Sequence, residues 1–142
     1  MPTNYTDDQS AYVEMHGGLA PTFDDTVRLG AGGTLYWEET WYPVAGIGDV
    51  VFADAAGALN VQKTDAGVQV GFYPVGYIHG NLTLTVAGAA VSTQPINLRP
   101  AQPFQQTIAL PPDLPDRGMV TVQILDNEGR PVFQFQQEMA LR

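Results

Sequence analysis

In Asn81-Leu82-Thr83-Leu84-Thr85-Val86-Ala87-Gly88, Leu82, Leu84 and Val86 alternate with Thr83 and Thr85 before the stretch ends in a small-residue turn. A period of two with β-branched partners is the signature of a strand with one face buried. Ala87-Gly88 then turns the chain into a further run, Ala89 to Thr93. The same grammar repeats outward in both directions. Ala58 to Lys63 and Val68 to Val75 flank Thr64-Asp65-Ala66-Gly67, a hairpin signal. Phe104 to Leu110 is bracketed by Pro103 and Pro111-Pro112. Met119 to Leu125 and Pro131 to Phe135 enclose Asp126-Asn127-Glu128-Gly129, which predicts a type I turn closed by a left-handed glycine. In the last run, Phe133 and Phe135 oppose Val132, Gln134 and Gln136. Upstream, Ala11 to Met15 reads as a short strand, and so does Thr34 to Tyr42, opened by the turn Ala31-Gly32-Gly33. No window of helical length keeps a 3.6-residue period free of Gly or Pro. The expected fold is all-β: an antiparallel, Ig-like β-sandwich of about eight or nine strands.

Composition narrows the function classes. The chain has 142 residues, a length for one domain, and no cysteine. Disulfides, thiolate metal sites and Cys nucleophiles are thereby excluded. Six Lys and Arg against 15 Asp and Glu give a formal charge of −9. A surface of that sign repels phosphate backbones and anionic lipids, so neither nucleic acid nor membrane is an expected partner. No run reaches the ~20 apolar residues that span a bilayer. The first ten residues are polar and acidic, without the pattern of a signal peptide. Localisation is thus open, and cytoplasmic if the chain is complete.

Catalytic and metal signatures are weak. His16 and His79 are the only histidines, 63 positions apart, and read as hydrogen-bonded or surface imidazoles rather than zinc ligands. The pairs Asp7-Asp8, Asp24-Asp25 and Glu38-Glu39 lack the alternating ligands of a calcium loop. Ser10 and Ser92 sit in no nucleophile motif. Gly30-Ala31-Gly32-Gly33 and Gly46-Ile47-Gly48 lack the Lys of a phosphate loop and read as turns. Asn4-Tyr5-Thr6 and Asn81-Leu82-Thr83 match the glycosylation pattern, as short chance sequences do. No metal and no cofactor is expected.

The strongest chemical signal is aromatic. Tyr36, Trp37, Trp41 and Tyr42 crowd seven residues, with Glu38 and Glu39 between them. Flat rings stack on the C–H faces of sugars while carboxylates accept hydroxyl protons. The competing reading makes these rings part of the sandwich core.

Two further blocks carry a resemblance: Tyr12-Val13-Glu14-Met15-His16-Gly17-Gly18-Leu19, and Leu29-Gly30-Ala31-Gly32-Gly33-Thr34-Leu35-Tyr36-Trp37 followed by Glu39-Thr40-Trp41-Tyr42-Pro43-Val44-Ala45-Gly46-Ile47-Gly48. Over roughly residues 11–60 the chain resembles the C-terminal part of galactose mutarotase-like supersandwich proteins, closest to an uncharacterised bacterial domain family of that group. Leu29-Gly30-Ala31-Gly32-Gly33 stands where those proteins carry a Pro-Gly-Glu turn. The resemblance implies three segments: residues 1–10 as a flexible lead, 11–60 as mutarotase-like strands packed on the sandwich, and 61–142 as the Ig-like sandwich. It places Glu14 where aldose epimerases carry a general base. An epimerase also needs an acid partner on earlier strands that are not in this sequence, so the implied role is a non-catalytic accessory module. The ligand-binding candidates are Glu14, His16, Trp37, Glu39 and Trp41, with a carbohydrate as ligand. A homodimer through an exposed strand edge is the second expected partnership, because strands that normally join a larger sheet present unpaired edges. The alternative is a structural or protein-interaction Ig-like domain without a ligand.

Overall fold

In a computed structural model of the chain, the described residues are 17–22 and 24–142. They fall into two compact units that divide between Glu39 and Thr40. The described part of the first unit contains no strand or helix. Its regular features are turns: Gly33 N–H donates to Gly30 O at 2.9 Å, with Gly32 at φ 74°. A residue at i+2 with positive φ fits the type II geometry that glycine adopts freely.

The second unit holds eight strands: β1 (Phe52–Ala53), β2 (Gly57–Thr64), β3 (Gly67–Pro74), β4 (Ile78–Val86), β5 (Ala89–Leu98), β6 (Phe104–Ile108), β7 (Arg117–Asp126) and β8 (Pro131–Ala140). Every pairing is antiparallel. One sheet has the order β1-β2-β3-β6 and the other β5-β4-β7-β8. The connections β3 to β4, β5 to β6 and β6 to β7 cross between sheets. With β2 as strand A, this is the A-B-E and C′-C-F-G arrangement of an Ig-like sandwich.

Local chemistry explains the hairpins. Ala87 (φ 49°) and Gly88 (φ 85°) both adopt positive φ between β4 and β5, the type I′ geometry that matches strand twist. Between β7 and β8, Gly129 has φ 79° and its N–H donates to Asp126 O at 3.0 Å. Asp126 Oδ1 accepts from the N–H groups of Glu128 and Arg130, and Oδ2 from Arg130 Nε at 2.7 Å. Donation by the Arg130 N–H, then by its guanidinium, holds the Asp126 carboxyl below the usual carboxylate range.

The main core lies between the sheets. Leu59, Val61, Val68, Val70 and Phe72 face Leu82, Leu84, Val86, Val120, Val122, Ile124 and Phe133. Phe72 and Phe133 meet edge to face across the layers, centroids 4.9 Å apart. Phe52 closes the margin between β1 and β8, 5.5 Å from Phe133 and 5.6 Å from Phe135. Ig-type stabilisation without a disulfide therefore rests on an aromatic cluster at the centre and one margin.

Three expectations need correction. Thr34 to Tyr42 forms no strand. Most of its rings are not core either: Tyr36 is 90% and Trp37 59% exposed, and only Tyr42 is half-buried against a small secondary core. Its composition favours extended structure, but among the described residues no strand ladder takes in this run, and β propensity alone does not hold a strand. Finally, β5 runs on through Pro95 to Leu98 rather than stopping at Thr93. It is an edge strand, the position in a sheet where proline is tolerated. Ala11 to Met15 lies outside the described residues.

Candidate functional site

The site is built by a feature on the far side of the first sheet. β3 is buried almost throughout and β2 over Gly57 to Val61, rather than in alternation. Their inner residues enter the main core, and their outer residues are covered by the chain that precedes β1. Ile47 packs with Ala58 and Tyr73 in a second small core, against which Tyr42 leans. Asn60, Gly71 and Gln105 form one row across β2, β3 and β6 on that outer face. Asn60 Nδ2 donates to Ile47 O at 2.8 Å, and Gln105 Nε2 donates to Gly46 O. Gly71 supplies the space between the two amides. A Cβ there would lie 2.9 Å from Ile47 O and 3.0 Å from Ile47 Cβ. Gly46 (φ 72°) and Gly48 (φ 83°) take the left-handed conformations that let the strap lie flat. Asn60 is the buried polar residue of the described core, and its partner is this strap.

The strap carries the aromatic cleft. Thr40, Trp41, Tyr42, Val44, Ala53, Asp54 and Ala55 line a concavity of about 440 Å³. Trp41 is 49% exposed there. Tyr42 is half-buried, and its hydroxyl donates to Asp54 O at 2.8 Å. Asp54 Oδ1 accepts from the N–H groups of Ala56 and Gly57 at 2.8 and 3.2 Å, fixing the turn into β2. The Asp54 side chain is thereby held at the cleft rim. Burial, reinforced by the Asp54 charge, raises the Tyr42 hydroxyl above its ordinary value near 10. A raised pKa in the folded state means that folding favours the neutral hydroxyl. The associated stability is present below pH 10 and fades as pH rises through the folded value. Tyr42→Phe is expected to show a flatter decline in melting temperature between neutral pH and pH 11 than the parent chain, read by circular dichroism.

The sequence candidates are distributed as follows. Trp41 lines the cleft. Trp37 and Glu39 belong to the other unit, where the Glu39 carboxylate lies against Gly17 so closely that a Cβ on Gly17 would come within 2.2 Å of Oε2. Glu14 and His16 lie outside the described residues. His79 is exposed on the outer face of the second sheet. Among the described residues, no three His, Asp or Glu side chains converge as metal ligands would. The sequence placed Tyr42 in the aromatic run but not among the ligand candidates, and it did not point to Val44 and Asp54 as the cleft's other walls or to Asn60 as the strap's anchor. The available signal was Gly46-Ile47-Gly48: an isolated aliphatic between two glycines fits a chain pressed against another backbone.

An Ig-like antiparallel sandwich with a strapped outer face and an aromatic cleft defines the class: a small β module without a recognisable catalytic constellation among its described residues. Residues 52–135 match the model of a family described as YphG-like protein, second domain. The match covers more than half of the chain, which belongs to this family. It takes in β1 to β7 and the first half of β8, while the strap precedes it. No curated protein and no solved structure matches the chain.

Proposed function

We propose that the chain is a non-catalytic accessory module of a carbohydrate-active, mutarotase-like protein, and that its strapped cleft is a weak binding platform for a neutral glycan. The observation that carries this reading is Trp41, half exposed in the cleft beside the fixed Tyr42 ring. A sugar's apolar face stacks on such a ring, and Thr40 and Asp54 supply rim groups that can bond hydroxyls. The mutarotase-like part of the reading rests on the residue order in Tyr12 to Leu19 and Leu29 to Gly48. The net charge of −9 favours an uncharged ligand over uronic or phosphorylated sugars.

The expected outcome is measured by saturation-transfer NMR against a panel of neutral oligosaccharides. At least one should give transfer to its ring protons, with a Kd on the order of 1 mM, equivalent to about −4 kcal/mol. Trp41→Ala should abolish the transfer, and Trp37→Ala should leave it intact. Absence of transfer from every glycan, with the fold intact, would favour the ligand-free interaction module instead.

A further inference from the structure

We propose that the chain forms a twofold homodimer by pairing β8 with β8 of a second copy, in a register centred on Gln137. The described strands leave several edges, and all but one are blunted. β1 is two residues long. The part of β2 beyond it carries Lys63, a charge that discourages edge pairing. β6 has five residues and meets β5 through the Gln94–Gln106 amide contact. β5 is interrupted by Pro95 and by a register shift opposite Leu84 and Thr85. β8 is different. It runs ten residues, its only proline is the first, and its register shift is confined to its start, where Leu125 pairs with Pro131. Gln134, Gln136, Gln137 and Glu138 are all exposed.

The pattern of β8 itself, which complements a second copy of the same strand, argues for self-pairing rather than a foreign partner. A net charge of −9 opposes self-association in general, so a second copy docks only where the meeting surfaces carry little charge. The rows of the second sheet's outer face that end at Gln134 and Gln136 are such a surface. One row across all four strands reads Thr93, Thr83, Gln123, Gln134, and the next contains Thr85, Thr121, Gln136. These rows end at the β8 edge. The one charge on β8, Glu138, already lies 3.5 Å from Arg117 Nε, so no free acidic patch invites a basic partner there.

The strand's own pattern selects the register. With the axis at Gln137, Phe135 faces Met139 of the second copy, Gln136 faces Glu138, and Gln137 faces itself. Apolar meets apolar on the inner side, and amide meets carboxylate on the outer side. An axis at Gln136 would set Phe135 against an amide. An axis at Glu138 would oppose two carboxylates directly.

The test uses the full chain in sedimentation velocity, together with variants that exploit the absence of native cysteine. The expected result is a concentration-dependent dimer. Gln137→Lys, which sets two ammonium groups face to face, should weaken it about tenfold or more. Thr93→Lys, on the opposite edge, should leave it unchanged. Under mild oxidation Gln137→Cys should cross-link to a covalent dimer and Gln134→Cys should not, because only a residue on the axis meets its own copy. A strict monomer at every concentration overturns the proposal. So does a dimer indifferent to Gln137→Lys, or equal cross-linking at the two positions. Circular dichroism melts matching the parent's exclude misfolding as the cause of any loss.

Discussion

Phe72→Ala is expected to lower stability by about 3–5 kcal/mol, the range for emptying a buried aromatic site. Phe72 is fully buried on the core-facing side of β3. Its ring meets Phe133 from the opposite sheet at 4.9 Å. Removing it opens a cavity between layers and strips Phe133 of its edge-to-face partner, which itself contributes about 0.5–1.5 kcal/mol beyond area. Domains of this size hold only about 5–15 kcal/mol in all. Thermal unfolding followed at 222 nm should therefore show a drop of roughly 10–20 °C. Phe135→Ala, a partly buried position at the margin, is the internal comparison and should cost clearly less. Equal shifts for the two would mean that the aromatic contact across the layers does not anchor the sandwich.

Gly71→Val should produce the second large effect, of about 3 kcal/mol, by a different route. The new side chain must occupy space that Ile47 already fills, with its first carbon 2.9 Å from Ile47 O. β3 is central in its sheet and cannot move away, so the strap must lift. Lifting exposes Ile47 and deprives the Asn60 amide of the carbonyl it donates to at 2.8 Å. A buried amide without a partner costs about 1–3 kcal/mol on its own. The strap also holds Tyr42 and Val44, so the cleft should open with it. Trp41 emission should shift to longer wavelength, while amide exchange within β4 and β7, whose contacts are elsewhere, stays slow. A variant with an unchanged emission spectrum and melting temperature would show that the strap does not depend on Gly71.

The two sheets differ in how much of them the sequence displayed. β4 was legible because only one of its faces is covered: Leu82, Leu84 and Val86 are buried while His79 and Asn81 face solvent, so burial follows the period of two. The loop Asp126 to Gly129 was legible because its turn needs a side-chain acceptor and a left-handed glycine, and both residue types advertise that geometry. β2 and β3 gave positions but not environment. Gly57, Asn60 and Gly71 look like breaks in an apolar pattern, and they are places where another backbone comes close. Local alternation carries no record of a non-adjacent segment lying over a strand. The run from Tyr36 to Tyr42 shows the converse. Its composition favours extended structure, but hydrogen-bond partners decide strands, and partners are not a local property. For the site, Trp41 was visible as an aromatic beside carboxylates, whereas Asp54 was hidden because its contribution is a backbone oxygen and a turn-fixing carboxylate.

The most direct measurement is a calorimetric titration of the glycan identified by NMR into the parent chain and into Gly71→Val, both at a temperature where the sandwich stays folded. A strap that shapes the cleft predicts measurable heat with the parent chain and a loss of at least tenfold in affinity, about 1.4 kcal/mol, with Gly71→Val. Equal affinity for the two chains would contradict it, because the glycan would then be held somewhere that the strap does not build.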